Sequence, residues 1–265
     1  MTADVHALAV VAPAARLGAG VKIGPFCIVG PQVVLGDGVE LVSHVAIAGR
    51  TVIGARTVVY PFAALGHPPQ DLKYRGEPST LIVGEACVVR EGVTIHPGTA
   101  GGGLETRVGA RCLLMANAHV GHDCAVGDEV VLSNNVMLGG HVRIGVGAVL
   151  GGGVAVIQHA RIGAYAFVGG MSGLEADLIP YGLACGNRAC LAGLNLVGLR
   201  RRDFPRETIA ALRRAYRLLF AAEGTMEERI DDVQAELGGV EHVAAMLTFL
   251  REAGDRPICR PRDGA

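Results

Sequence analysis

Aliphatic residues recur along the chain at every sixth position: Val5, Val11, Leu17, Ile23, Val29, Leu35, Leu41, Ile47, Ile53, Val59 and Leu65. The phase returns at Val83, Val89 and Ile95, slips by one residue, and runs from Val108 in steps of six to Leu174, filling 26 positions without a miss. A helix turning every 3.6 residues cannot keep a period of six on one face. The pattern therefore predicts a mainly β solenoid over residues 1–195, a parallel β-helix with the aliphatic side chains stacked inside and Gly, Asp or Asn at the turns. With three hexapeptides per coil, position i lies beside position i+18 one coil away, about 4.8 Å along the axis.

Two stretches break the count. Residues 66–80 (GHPPQDLKYRGEPST) and 97–107 (PGTAGGGLETR) read as loops thrown from the prism, and loops on a rigid scaffold often carry binding residues. Beyond Leu174 the repeat decays, and from about Leu196 the spacing turns helical, with Ile209, Leu212, Tyr216, Leu219 and Phe220 as an apolar stripe. Pro205 suits a first helical turn. Gly224, Thr225 and Glu228 read as a helix stop followed by a capping box, placing a second helix from Met226 and a third over 241–251. Residues 196–265 form the predicted α-helical C-terminal domain.

Half of the residues are apolar and the net charge is −1, which excludes a globally basic nucleic-acid binder and leaves local patches as the charged contacts. One such patch is plain: between Arg188 and Arg217 stand eight arginines against Asp203 and Glu207. The seven cysteines are odd in number and lack CxxC pairs; they read as reduced, buried thiols of a cytoplasmic protein. Residues 7–15 resemble a signal peptide only faintly, because Asp4 precedes them and no basic residue opens the chain, so they read as an early strand. The most apolar window, 144–157, has 14 uncharged residues of which five are glycine. That is short of a membrane span, and no integral membrane segment is expected.

Chemistry gathers at MANAHVGHDC, where His119, His122 and Asp123 fall within five residues. The period of 18 then aligns Asp123 with His141 and His159. A histidine near neutral pKa can take a proton from a hydroxyl while a carboxylate holds its tautomer, so His122 is the candidate base. Asp123 can orient it only if a prism corner turns the two neighbouring side chains to one side. Two alternatives stay open: solvated turn histidines, or a zinc site of the gamma-carbonic-anhydrase kind built from successive coils.

The runs IGPFCIVGP, QDLKYRGEP, TIHPGT, NAHVGHDC and LRRRDF resemble, over essentially the whole chain, the UDP-N-acetylglucosamine O-acyltransferases of lipid A synthesis. The resemblance implies a left-handed parallel β-helix, a homotrimer with sites between neighbouring prisms, and transfer of a 3-hydroxyacyl chain from acyl carrier protein to the 3-hydroxyl of the UDP-sugar. It implies His122 as general base, Asp123 as its partner and the Gly140 amide as oxyanion donor, with no metal or cofactor. Asp71, Lys73 and His141 would lie by the sugar, His96 and His119 would bind substrate, Gln158 would lie on the nucleotide side, and Asn195, Arg201 and Arg202 near the phosphates. The arginine-rich stretch would suit the acidic carrier protein, and Gly170 matches the position that limits acyl-chain length, although a turn glycine would serve equally there. Where the family carries a histidine before Gln158, this chain has Ile157, with His159 following. That departure leaves open a shifted substrate contact, for instance toward a 3-amino sugar.

Overall fold

The computed structural model describes residues 2–254 and 256–262. Twenty-six short strands, from Asp4–Val5 to Gly173–Leu174, wind into a three-sided prism, and each ends on one of the 26 repeat positions. The strands stack in three parallel sheets that we call the first, second and third faces, begun by Asp4–Val5, Val10–Val11 and Arg16–Leu17. Pairs such as Asp4 with Lys22 keep the spacing of 18. Val59 pairs with Val89 and Val89 with Leu114, so the two loops add 12 and 7 residues to their coils without disturbing the ladder.

Burial explains why the repeat is so regular. From Ile23 onward every repeat position is buried, whereas Val5, Val11 and Leu17 in the first coil have neighbours on one side only and stay partly open. A fully buried aliphatic side chain contributes roughly 1.5–3 kcal/mol, and those inside the stack have a coil above and a coil below. The corners need a left-handed backbone, supplied by glycines such as Gly153 but also by Asp123, His141 and His159, whose φ values are 59°, 62° and 64°. Residues 144–157 fall in strands of the prism, and no helix among the described residues is long and apolar enough to cross a membrane.

At the far end Gly182–Cys185 extends the first face and Cys190–Leu194 pairs with it antiparallel, ending the solenoid. Among the described residues four helices follow: α1 (Leu196–Arg201), α2 (Arg206–Leu219), α3 (Met226–Leu237) and α4 (Glu241–Arg251). The expected capping box is formed, Thr225 accepting from the Glu228 amide and Glu228 from that of Thr225. Arg161 and Asp177 tie this tail to the prism. Asp177 accepts from Arg161 at 2.7 Å and from Arg256 at 3.1 Å, and Arg161 donates to the α4 carbonyl of Phe249 at 3.0 Å. The cysteines need one correction. Five are buried, but Cys185 is exposed and Cys190 half-buried, because both sit in the closing hairpin, outside the repeat.

Candidate active site

The histidines converge at the corner where the second face turns into the third. His119 opens its strand, His119–Val120, facing outward beside Thr94, whose hydroxyl lies 2.7 Å from Nδ1. Two residues further the chain turns, and the left-handed φ of Asp123 brings its carboxylate to the same side as the His122 ring. His122 Nδ1 lies 2.7 Å from the Asp123 carboxylate, and His141 Nε2 lies 3.8 Å from it on the next coil. His141 in turn stacks on His159, with centroids 4.3 Å apart and planes 8° from parallel.

Asp123 has a side chain with no exposed surface. It accepts from the Thr99 amide at 2.8 Å and the Thr99 hydroxyl at 2.6 Å, and its own amide donates to Thr106 Oγ1 at 2.7 Å. A carboxylate so supplied with donors is an acceptor toward His122 as well, so Nδ1 of His122 carries the proton and Nε2 the free lone pair. Gly140 comes so close that a Cβ built on it would stand 2.5–2.6 Å from the His122 ring.

In front of this corner opens a cavity of about 570 Å³ lined by Gln70, His96, His119, His122, Gly140 and Gln158 among others. Burial holds His96 down at about 4, helped by His119, His122 and His67. Burial also lowers His119, with His122 adding to it. His141 is lowered by burial too, against the opposing pull of Asp123 and Asp71. The neutral forms are favoured, so the cavity presents lone pairs and N–H donors rather than a block of positive charge.

The remaining expected residues divide into two groups. Asp71 is half-buried near His141 and accepts from the Lys73 amide at 2.9 Å, while Lys73 is exposed; the loop lends the cavity Gln70. Ile157 is 52 % exposed, Gln158 lines the cavity, and His159 sits at the turn beyond. Asn195, Arg201 and Arg202 lie elsewhere, around a cavity of about 410 Å³ on the first face with Tyr165 and Phe167. There Asn195 caps α1, accepting from Gly198 at 3.0 Å, and Arg202 pairs with Glu129 at 3.0 Å. A single chain therefore does not bring these three to His122. Gly170 is exposed at the corner between the first and second faces, and a Cβ on it would meet the Gly152 carbonyl at 3.2 Å.

His122, Asp123 and His141 offer ligand atoms within 4.8 Å of one another. A cation there would have to displace the Nδ1 hydrogen bond and compete with Thr99 for the carboxylate, so the donor set fits proton handling better than ligation. Sequence reading missed Thr99, Thr106, Gly98 and Gly102. Thr106 carried a signal, as a hydroxyl at an interior position stacked between Leu81 and Cys124.

Known proteins resemble this chain over most of its length. Residues 177–259 match the model of the second domain of UDP-N-acetylglucosamine O-acyltransferases, and residues 14–49 and 105–140 match the bacterial transferase hexapeptide. A Methylobacterium radiotolerans protein named acyl-[acyl-carrier-protein]--UDP-N-acetylglucosamine O-acyltransferase is 70% identical over 205 residues, covering 77% of this chain and 75% of its own. One of the same name from Azorhizobium caulinodans is 48% identical over 263 residues, 97% of each chain. The crystal structure of UDP-N-acetylglucosamine O-acyltransferase from Moraxella catarrhalis superposes with a TM-score of 0.94 at 39% identity, covering 97% of this chain and 99% of that one. The shared fold is the left-handed parallel β-helix.

Proposed function

The chain belongs to the UDP-N-acetylglucosamine O-acyltransferase family, and from the geometry of its histidine corner we infer how it carries out the reaction. It moves an acyl chain from the thioester of acyl carrier protein to UDP-N-acetylglucosamine in lipid A synthesis. A thioester is already activated, so the protein has to align the sugar hydroxyl, take its proton and stabilise the oxyanion. His122 Nε2 removes the proton of the 3-hydroxyl as that oxygen attacks the thioester carbonyl carbon. The Gly140 amide, which makes no other hydrogen bond among the described residues, donates to the oxyanion. Collapse breaks the carbon–sulfur bond, and the imidazolium returns its proton to the departing thiolate. Asp123 keeps Nδ1 protonated throughout and offsets the charge that His122 acquires. No metal or cofactor enters these steps.

The observation that carries this reading is the 2.7 Å contact between His122 Nδ1 and a carboxylate with no exposed surface. His96, His119 and His141 line the sugar side with Asp71 and Lys73, and Gln158 faces the nucleotide. Gly170 limits the acyl chain. Because Asn195, Arg201 and Arg202 stand on the first face, they serve the nucleotide of a neighbouring chain's site in a homotrimer. The arginine-rich stretch receives the acidic carrier protein. We place the enzyme in the cytoplasm, where thiols stay reduced.

Purified protein given UDP-N-acetylglucosamine and 3-hydroxyacyl carrier protein forms the acylated nucleotide sugar, read by mass spectrometry, with or without a chelator. Losing the base costs about 10²–10⁴-fold, so His122→Ala should fall by that much. Full turnover by this variant overturns the base assignment, and loss of activity on chelation revives the metal reading.

A further inference from the structure

We propose that Thr99 is a positioning residue for this reaction: it grips both carboxylate oxygens of Asp123 and so holds that group on Nδ1 of His122. The proposal rests on His122 being the base.

The Asp123 carboxylate has no exposed surface, so water cannot complete its hydrogen bonds and each donor counts. Two come from Thr99, whose amide reaches Oδ1 at 2.8 Å and whose hydroxyl reaches Oδ2 at 2.6 Å. The third is His122 Nδ1, which shares Oδ2 at 2.7 Å. A two-point hold fixes the plane of the carboxylate, and that plane decides which imidazole it serves. The choice is real, because His141 Nε2 waits 3.8 Å from the same oxygen. A carboxylate free to turn about its χ angles would be divided between the two rings, and His122 would lose its fixed orientation.

The loop around Thr99 is shaped for this hold. Its carbonyl accepts from the Gly102 amide at 3.1 Å and the Leu104 amide at 3.0 Å, closing the loop on Thr99 itself. Gly102 lies so near that a Cβ on it would stand 2.0 Å from Asp123 Cγ, and one on Gly98 would stand 2.8 Å from Oδ1. Glycine at both places lets the backbone press against the carboxylate where a side chain would push it away. Thr106 completes the enclosure by accepting from the Asp123 amide at 2.7 Å.

The test uses the full-length enzyme with both substrates. Thr99→Val keeps the branched shape and removes only the hydroxyl. Misplacing a catalytic group by about 1 Å can cost about a hundredfold, so kcat should fall about tenfold to a hundredfold while KM for the UDP-sugar stays within about twofold. Thr99→Ser, which keeps the donor, should restore most of the turnover. Should the valine variant not fold, Thr99→Ala is read in its place. On an Asp123→Asn background the Thr99 change should cost less than about twofold more, because residues acting as a unit are not additive. Unchanged kcat in Thr99→Val, a serine variant as poor as valine, or a full additional loss on Asp123→Asn overturns the proposal. His122→Ala run alongside separates the two claims. If it is dead while Thr99→Val is fully active, only the role of Thr99 falls; if it is active, the base assignment falls and this proposal with it.

Discussion

At the scale of single residues, the cavity wall is tuned by burial more than by charge. His96 is 6 % exposed, and burial holds its pKa at about 4, whereas the unfolded chain titrates near 6.5. Between those values the unfolded state binds more protons, so stability falls as pH drops from about 6.5 toward 4 and is level above that window. Full titration is worth up to about 3 kcal/mol, with His119 and His141 acting in the same direction. Chemical denaturation at pH 7.5 and 5 should show a smaller loss for His96→Gln than for the natural protein; equal losses refute the account. Some of this scale was legible in advance. The period of 18 set Asp123, His141 and His159 in one column, and they do share a corner. Thr99, Gly98 and Gly102 were not legible, because a loop outside the repeat has no register from which to read its neighbours.

At the scale of elements, the prism corner is the unit that matters. Strand neighbours point to opposite faces, so the adjacent His122 and Asp123 could meet only where the chain turns, and Asp123 adopts the left-handed φ of 59° that the turn requires. The next coil then passes so close that Gly140 has no room for a side chain beside the His122 ring. Gly140→Ala should displace that ring and lower kcat by about a hundredfold, with a melting temperature near that of the natural protein, as calorimetry would report. An alanine variant of full activity would show that the ring can move aside without consequence. The strands themselves were the most legible elements, each ending where the hexapeptide count places an aliphatic residue. The closing hairpin was not, because Cys185 and Cys190 stand beyond the last repeat and escape the inward alternation.

At the scale of the whole molecule, the histidine corner and the group of Asn195, Arg201 and Arg202 occupy different parts of one prism. The motifs that point to both sets carry no information about which face each will occupy, so this separation emerged only with the fold. A site completed between chains makes a clear expectation for mixed assemblies. Co-expressed His122→Ala and Arg202→Ala chains, each nearly inactive alone, should recover activity, since some interfaces then join an intact base to an intact arginine. Mixtures no better than the separate variants would mean that the two groups act within one chain or not together at all.

The uninterrupted ladder that joins coil to coil also determines what this enzyme can do in time. His122 stands one turn from Gly140 and His141 in a single hydrogen-bonded stack, with no hinge between them, so the spacing from the proposed proton acceptor to the proposed oxyanion donor is set before any substrate arrives. The loops at 66–80 and 97–107 leave the ladder and rejoin it in register, so they bring Gln70 to the cavity and Thr99 to the Asp123 carboxylate without altering that spacing. The prism behaves as a fixed anvil, against which both substrates are set without any adjustment of the coils themselves.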